Sequence, residues 1–191
     1  MEIKVDDKTS LVLIDDSHAD KVFNLINSCR PYLRQWLPWV DSSKSIDNTR
    51  DFIKFCRQCY ENKFGIDLCI IVDNSIAGLI SLHKIDHLNK SATIGYWLSD
   101  TFQGLGIMTN ACSKLTYYCF ATLELNRIEI KCATDNLKSQ AIPERLKFKK
   151  EGTLRQAEFL NNKFVDQYLY ATVRKDWNCV GHQQLYPTIP F

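Results

Sequence analysis

"IGYWLSDTFQGLGIMTNA" (residues 94–111) decides how this 191-residue chain is read. An apolar run ends at Leu98 and reads as a strand. Two glycines, Gly104 and Gly106, follow in a short loop. Met108, Cys112, Leu115, Cys119 and Leu123 then recur at the spacing of one helix face, over about 106–123. A strand, a glycine-bearing loop and a helix start form an anion site by geometry alone. The first-turn N–H groups have no intrahelical partner, and the helix dipole adds partial positive charge. Glycine lets the backbone turn sharply and lets an anion approach without a Cβ in the way. Two familiar phosphate loops are excluded. The Walker pattern needs Gly-Lys-Ser/Thr, but Ile107-Met108 stand there, and the dinucleotide fingerprint needs a third glycine at 109, which is Thr.

Working outward, residues 10–14 read as a first strand, and Asp16 or Ser17 is expected to cap a helix carrying Ala19, Val22, Phe23 and Ile26 on one face. "PYLRQWLPWV" (31–40) is unusually aromatic and precedes a polar break at 41–45. Asp47 or Asn48 suits the cap of a helix to about Glu61, with Phe52, Ile53, Phe55, Cys56 and Cys59 as its apolar stripe. Strands 68–72 and 76–80 flank Asp73-Asn74, a hairpin-turn pair. Residues 127–133 alternate cleanly as a strand, Asn136 or Ser139 starts a helix to about Leu146, and strands 151–159 and 164–173 join at Asn161-Asn162-Lys163. The pattern predicts one α/β domain over 1–177 with a mixed sheet, not a doubly wound parallel one, followed by a tail over 178–191.

The composition is that of an ordinary globule: 45% apolar, 24% charged, and 24 basic against 22 acidic residues for a net charge of +2. Without a basic run, direct nucleic-acid binding is not expected. No stretch approaches 18 apolar residues and the start is charged, so neither a membrane partner nor a secretory leader is expected, and the reading is cytoplasmic. Of eight cysteines only Cys56 and Cys59 form a C-x-x-C, with no second pair and only the distant His83 and His87. No metal is therefore expected. Cys69, Cys112, Cys119 and Cys132 read as small core hydrophobes in a reducing compartment.

Gln103-Gly104-Leu105-Gly106-Ile107-Met108 resembles the Q/R-x-x-G-x-G/A pyrophosphate loop of the GNAT superfamily of N-acetyltransferases, departing only at Met108. The flanking "IGYWLSDTFQGLGIMTNA", with "PYLRQWLPWV", "NRIEIKCATDNLKSQAIPERLKF" and "EGTLRQAEFLNNKFVDQYLYATVRKDW", is similar to the RimJ/RimL branch, whose members acetylate protein α-amino groups. The resemblance covers residues 10–177. It implies the GNAT fold: a mixed, mostly antiparallel sheet of about seven strands splayed between the fourth and fifth, with about four helices. It also implies acetyl-CoA as cosubstrate and, as in many relatives, a homodimer.

Under that resemblance, acetyl-CoA lies between the strands at 91–98 and 127–133. Gln103, Gly104, Leu105, Gly106, Ile107, Met108 and Thr109 form the pyrophosphate cradle, and a backbone N–H near Leu98 polarises the thioester carbonyl. Many relatives carry a tyrosine in the next helix to protonate the departing thiolate; here Pro143 stands at that position. Ser139, one turn earlier, is the branch's substitute, better suited to stabilising a thiolate than to protonating it. It would otherwise be an ordinary first-turn residue. Asn136 matches a position that touches the pantetheine arm and suits an N-cap equally. Glu158 is implied as the base that takes the ammonium proton, directly or through water, with Asp166 the second acidic candidate, either contacting the substrate or holding structure. Tyr32, Trp36 and Trp39 would wall the acceptor site, although tryptophans so placed also fill cores. Cys132 is read as packing. Lys147, where relatives place glycine, would cost roughly 1 kcal/mol in a left-handed conformation. The acceptor is a protein N-terminus of ribosomal type; the alternatives are a small amine (an antibiotic or polyamine), or a module that binds acyl-CoA without turnover.

Overall fold

The structure, a computed structural model, describes residues 1–179. Eight strands form one sheet: β1 (Glu2–Lys4), β2 (Thr9–Leu13), β3 (Ile66–Val72), β4 (Ser75–Asp86), β5 (Ser91–Leu98), β6 (Arg127–Ala133), β7 (Lys149–Leu160) and β8 (Lys163–Val173). Their order is β1-β2-β3-β4-β5-β6-β8-β7. Every neighbouring pair is antiparallel except β5 and β6, which are parallel. A parallel pair needs a crossover, and the helix α4 (Ile107–Ala121) supplies it. The mixed, mostly antiparallel sheet is as expected. It has eight strands where about seven were anticipated, because the short β1 pairs outside β2.

Among the described residues there are six α-helices where about four were expected. α1 (Ala19–Ser28) and α3 (Ile46–Glu61) cover one face, where Ile14, Val22, Ile26, Ile53 and Cys56 pack on Cys69 and Leu79. α4, α5 (Leu137–Arg145) and α6 (Arg174–Cys179) accompany the larger core cluster, which gathers Ile94, Met108, Cys112, Leu115, Cys119, Ile130, Ile142 and Trp177. The sixth is α2 (Arg30–Leu33), a single turn. The cysteines read as core fillers, Cys69, Cys112, Cys119 and Cys132, are all buried.

Two caps differ from expectation. Asp15, not Asp16 or Ser17, caps a 3-10 turn at Asp16–His18 that leads into α1. Ser45, not Asp47 or Asn48, caps α3, with Asn48 completing a reciprocal capping box. A cap needs extended backbone, and at both places the extended residue lies ahead of the acidic residue that invited the assignment. Asp73-Asn74 and Asn161-Asn162 form two-residue hairpin turns, each residue with positive φ. α6 carries the chain two residues past 177, and the rest of the expected tail lies outside the described residues.

Candidate active site

β5 and β6 pair only as far as Ile94–Ile130. Beyond that point β5 stays with β4 to Leu98, and β6 stays with β8 to Ala133, so the sheet opens into a wedge. The Ser99 N–H donates to Ala77 O, on the β4 side (2.9 Å). By strand alternation the Leu98 N–H therefore faces the wedge. Gly78 lies opposite Leu98, and a Cβ there would come within 2.2 Å of Trp97 O, so only glycine lets β4 hold this edge so closely.

Past Leu98 a 3-10 turn (Asp100–Phe102) leads to Gln103 and the glycines. Gly104 and Gly106 have φ of 78° and 76°, and a Cβ on either would meet only open space. Both glycines thus serve the left-handed backbone itself. Gly106 is the N-cap of α4 and no side chain caps that helix. The first bond closing the turn is Asn110 N–H to Gly106 O, and among the described residues no backbone acceptor takes the N–H groups of Leu105, Gly106, Ile107, Met108 or Thr109. Ile107 and Met108 are buried. The Met108 side chain, larger than the Gly or Ala of the pyrophosphate-loop pattern, enters the core and so leaves the loop surface clear. Two cations of α5 reach this loop: Lys138 Nζ donates to Gln103 Oε1 (2.9 Å), and Arg145 donates to Thr109 Oγ1 (3.3 Å).

The first turn of α5 crosses the mouth of the wedge. Asn136 is its N-cap, its Oδ1 accepting from Ser139 N–H (3.1 Å). Gln140, buried, donates to Ala133 O and Thr134 O, both at 2.9 Å, tying the turn to the end of β6. Ser139 Oγ lies 3.3 Å from Cys132 Sγ and 3.4 Å from the Tyr96 hydroxyl. Tyr96 in turn donates to Ser139 O (2.9 Å). Burial raises the thiol of Cys132 and, more strongly, the phenol of Tyr96, so both are neutral donors near neutral pH.

Glu158 sits near the end of the β7–β8 ribbon, after a break in register between Leu154 and Glu158. Asp166 maintains that break: its Oδ1 accepts from Gln156 N–H (2.8 Å), where Gln156 has a φ of 48°. Asp166 thus has the structural engagement the sequence left open for it. Glu158 Oε2 accepts from Gln167 Nε2 (3.0 Å) and is partly exposed. The ribbon tip meets the aromatic segment, with Asn161 Nδ2 donating to Gln35 O (3.2 Å). That segment is fixed by Arg30, which donates to Val40 O and Ser43 O, and by an Arg34–Asp41 ion pair at 2.6 Å. Tyr32 and Trp36 are half-buried, Tyr32 packing against the small core cluster of Cys29, Leu33 and Val40, and Trp39 is exposed, its ring 6.3 Å from Trp97. Lys138 Nζ stands 5.3 Å from the Tyr32 ring centroid, linking the aromatic segment to the glycine loop.

Tyr96, Trp97, Lys138, Arg145 and Gln167 therefore join this cleft without having been picked from the sequence. Tyr96 and Trp97 lay inside the opening stretch. Only the end of β5–β6 pairing distinguishes them from ordinary strand aromatics. Lys147, with φ of 60°, takes the left-handed position expected after α5. Among the described residues no three His, Cys, Asp or Glu side chains group as metal ligands. No helix there is long and apolar enough to cross a membrane.

Comparison with known proteins agrees with this geometry. An acetyltransferase (GNAT) domain model matches residues 9–149. The ribosomal-protein-serine acetyltransferase of Escherichia coli (strain K12) is 34% identical over 171 residues, covering 90% of this chain and 96% of that protein. A solved structure of RimL, the ribosomal L7/L12 α-N-protein acetyltransferase, with coenzyme A disulfide-linked to a cysteine, superposes with TM-score 0.88 at 32% identity, over 91% of this chain and 98% of that one. The microcin C7 self-immunity acetyltransferase MccE, in complex with acetyl-CoA and AMP, superposes with TM-score 0.86 at 37% identity, over 89% and 94%. With its strand wedge, its uncapped glycine loop and these likenesses, the chain belongs to the GNAT family of acetyltransferases.

Proposed function

We propose that this enzyme transfers the acetyl group of acetyl-CoA directly to the N-terminal α-amino group of a protein, of the ribosomal kind that the Escherichia coli relative and RimL act on. The observation that carries the reading is the wedge, where the Leu98 N–H turns away from β4, the chain runs on into an uncapped helix start, and Ser139 rests between Tyr96 and Cys132. The unpartnered N–H groups of Leu105 to Thr109 suit the pyrophosphate, with Lys138 and Arg145 turning from Gln103 and Thr109 toward the phosphates. The Asn136 side-chain N–H₂ is left for the pantetheine amides, since its oxygen already caps Ser139. RimL binds coenzyme A in disulfide linkage to one of its cysteines, and in this chain Cys132 of β6 stands where the strands part and the coenzyme thiol would rest.

In the reaction the neutral amine attacks the thioester carbonyl, whose oxygen takes the Leu98 N–H as the C–N bond forms. Glu158 accepts the ammonium proton, directly or through one water. The C–S bond then breaks, and the thiolate leaves toward the Ser139 hydroxyl and gains its proton from solvent. Asp166 is spoken for by the ribbon, which favours Glu158 as the base. Tyr32, Trp36 and Trp39 line the acceptor's first residues.

Incubation with acetyl-CoA and a pool of Ser- and Ala-starting ribosomal N-terminal peptides plus polyamines, read by mass spectrometry, tests the proposal. Acetylated peptide α-amines are expected. Acetylated polyamine alone would move the acceptor to small amines. Tight acetyl-CoA binding with no product would mean a module that binds the coenzyme without turnover.

A further inference from the structure

In an α-helix the carbonyl of residue 139 accepts the N–H of residue 143. Here residue 143 is proline, inside α5, and has no N–H to give. The proline thus orphans the carbonyl of Ser139, the residue whose hydroxyl faces the wedge. The structure supplies another donor from across the sheet, because Tyr96 O–H donates to Ser139 O at 2.9 Å. Its strand position explains why. Tyr96 lies two residues past Ile94 on β5, and Cys132 two past Ile130 on β6, so both follow the last β5–β6 pair and flank the point where the strands part. Ser139 sits between them, at 3.3 Å from Cys132 Sγ and 3.4 Å from the Tyr96 oxygen.

We infer that Tyr96 is a positioning residue for thiolate departure: by replacing the helical donor that Pro143 removes, it fixes Ser139 so that the serine hydroxyl turns to the coenzyme sulfur. The inference rests on the acetyltransferase reading above and deepens it. Ser139 is then held at all three of its polar groups: Asn136 takes its N–H, Tyr96 donates to its carbonyl, and its hydroxyl rests between Cys132 Sγ and the Tyr96 oxygen. The serine O–H donates to the Tyr96 oxygen only across a long 3.4 Å, and it exchanges that contact for the negative sulfur as the C–S bond breaks. Tyr96 itself loses no proton. Its phenol is strongly held in the neutral form by burial, and a tyrosinate in this cleft would be costly. The thiolate leaves hydrogen-bonded to Ser139 and takes its proton from solvent, while the amine's proton has gone to Glu158. The same helix position thus serves this chemistry differently in the two cases: many relatives place a tyrosine there, and this chain places a proline that recruits a tyrosine from β5.

The test is steady-state kinetics on the full chain with acetyl-CoA and a Ser-starting peptide, alongside thermal unfolding. Tyr96→Phe should lower kcat about 10-fold, the scale of one hydrogen bond, and leave the KM for acetyl-CoA unchanged. In a Ser139→Ala background the same change should cost nothing more, because its target is gone. Pro143→Ala restores an N–H to the Ser139 carbonyl, so Tyr96→Phe/Pro143→Ala should recover part of the kcat lost by Tyr96→Phe. A Tyr96→Phe enzyme as fast as the unmodified chain, or losses that multiply fully in the Ser139→Ala background, would overturn the inference and leave the acetyltransferase reading standing. A lowered unfolding midpoint with that same multiplicative loss would make Tyr96 a packing residue only. An unmodified chain that acetylates nothing would overturn both.

Discussion

The loop at 103–109 and the turn that bears Ser139 face the same wedge but are built differently. The loop offers main-chain N–H groups from five consecutive residues, Leu105 to Thr109, shaped by two left-handed glycines and anchored by the buried Ile107 and Met108. The opposite side offers side chains gathered from β5, β6, α5 and the β7–β8 ribbon, joined mostly by hydrogen bonds from one element to another. One half is a backbone device that a short motif can encode. The other is a set of long-range placements, and Asp166, which shapes the ribbon bulge, works one step removed from the candidate base. The donor half should therefore fail through binding and the chemical half through rate.

The largest effect expected on the chemical half is from Glu158→Gln, which removes the base and should lower kcat by about 10²- to 10³-fold, with peptide acetylation read by mass spectrometry. An unchanged rate would return Asp166 to candidacy. Next comes the strand edge that both halves share. Gly78→Ala sets a Cβ 2.2 Å from Trp97 O and should cost about 2–3 kcal/mol in denaturant unfolding, with loss of both binding and turnover. On the donor half, Gly106→Val forces a β-branched residue to a φ of 76°. It should raise the KM for acetyl-CoA about 10-fold and leave kcat within about two-fold, the strain falling on the loop rather than on the reacting atoms.

The smallest effect lies outside the wedge. Arg127, donating to Glu151 Oε2 at 2.5 Å, holds the Glu151 carboxyl below its usual range. A carboxyl whose folded value is depressed stabilises the fold above its unfolded value, about 4.3, and that contribution is lost as pH falls through the folded value. Thermal midpoints between pH 6 and 3 should therefore fall less steeply in Glu151→Gln than in the unmodified chain. The difference should be small because the Glu151 side chain is 39% exposed.

The sequence was most legible where structure is local. Strand β6 at 127–133, the Asp73-Asn74 hairpin and the helix face Met108, Cys112, Leu115, Cys119 all stand as their periodicity predicts, and the glycine loop was recognisable from six residues. Caps were harder, since choosing among Asp15, Asp16 and Ser17 depends on which residue takes the extended conformation, and neighbouring residue types do not decide that. The short β1 carries too little alternation to register. Tyr96 was hidden for a different reason. A tyrosine in a strand is ordinary, and its partnership with Ser139 depends on where β5 leaves β6 and on a proline 47 positions later in the chain. Asp166 lies under the same limit, because its carboxylate serves a bulge on another strand.

The most direct test of the two-part account is to titrate acetyl-CoA into Glu158→Gln and Gly106→Val and to measure the single-turnover rate of peptide acetylation by each at saturating coenzyme. The account predicts an unchanged Kd with a collapsed rate for the first, and a weakened Kd with a near-normal rate for the second. Parallel losses of affinity and rate in both variants would contradict it.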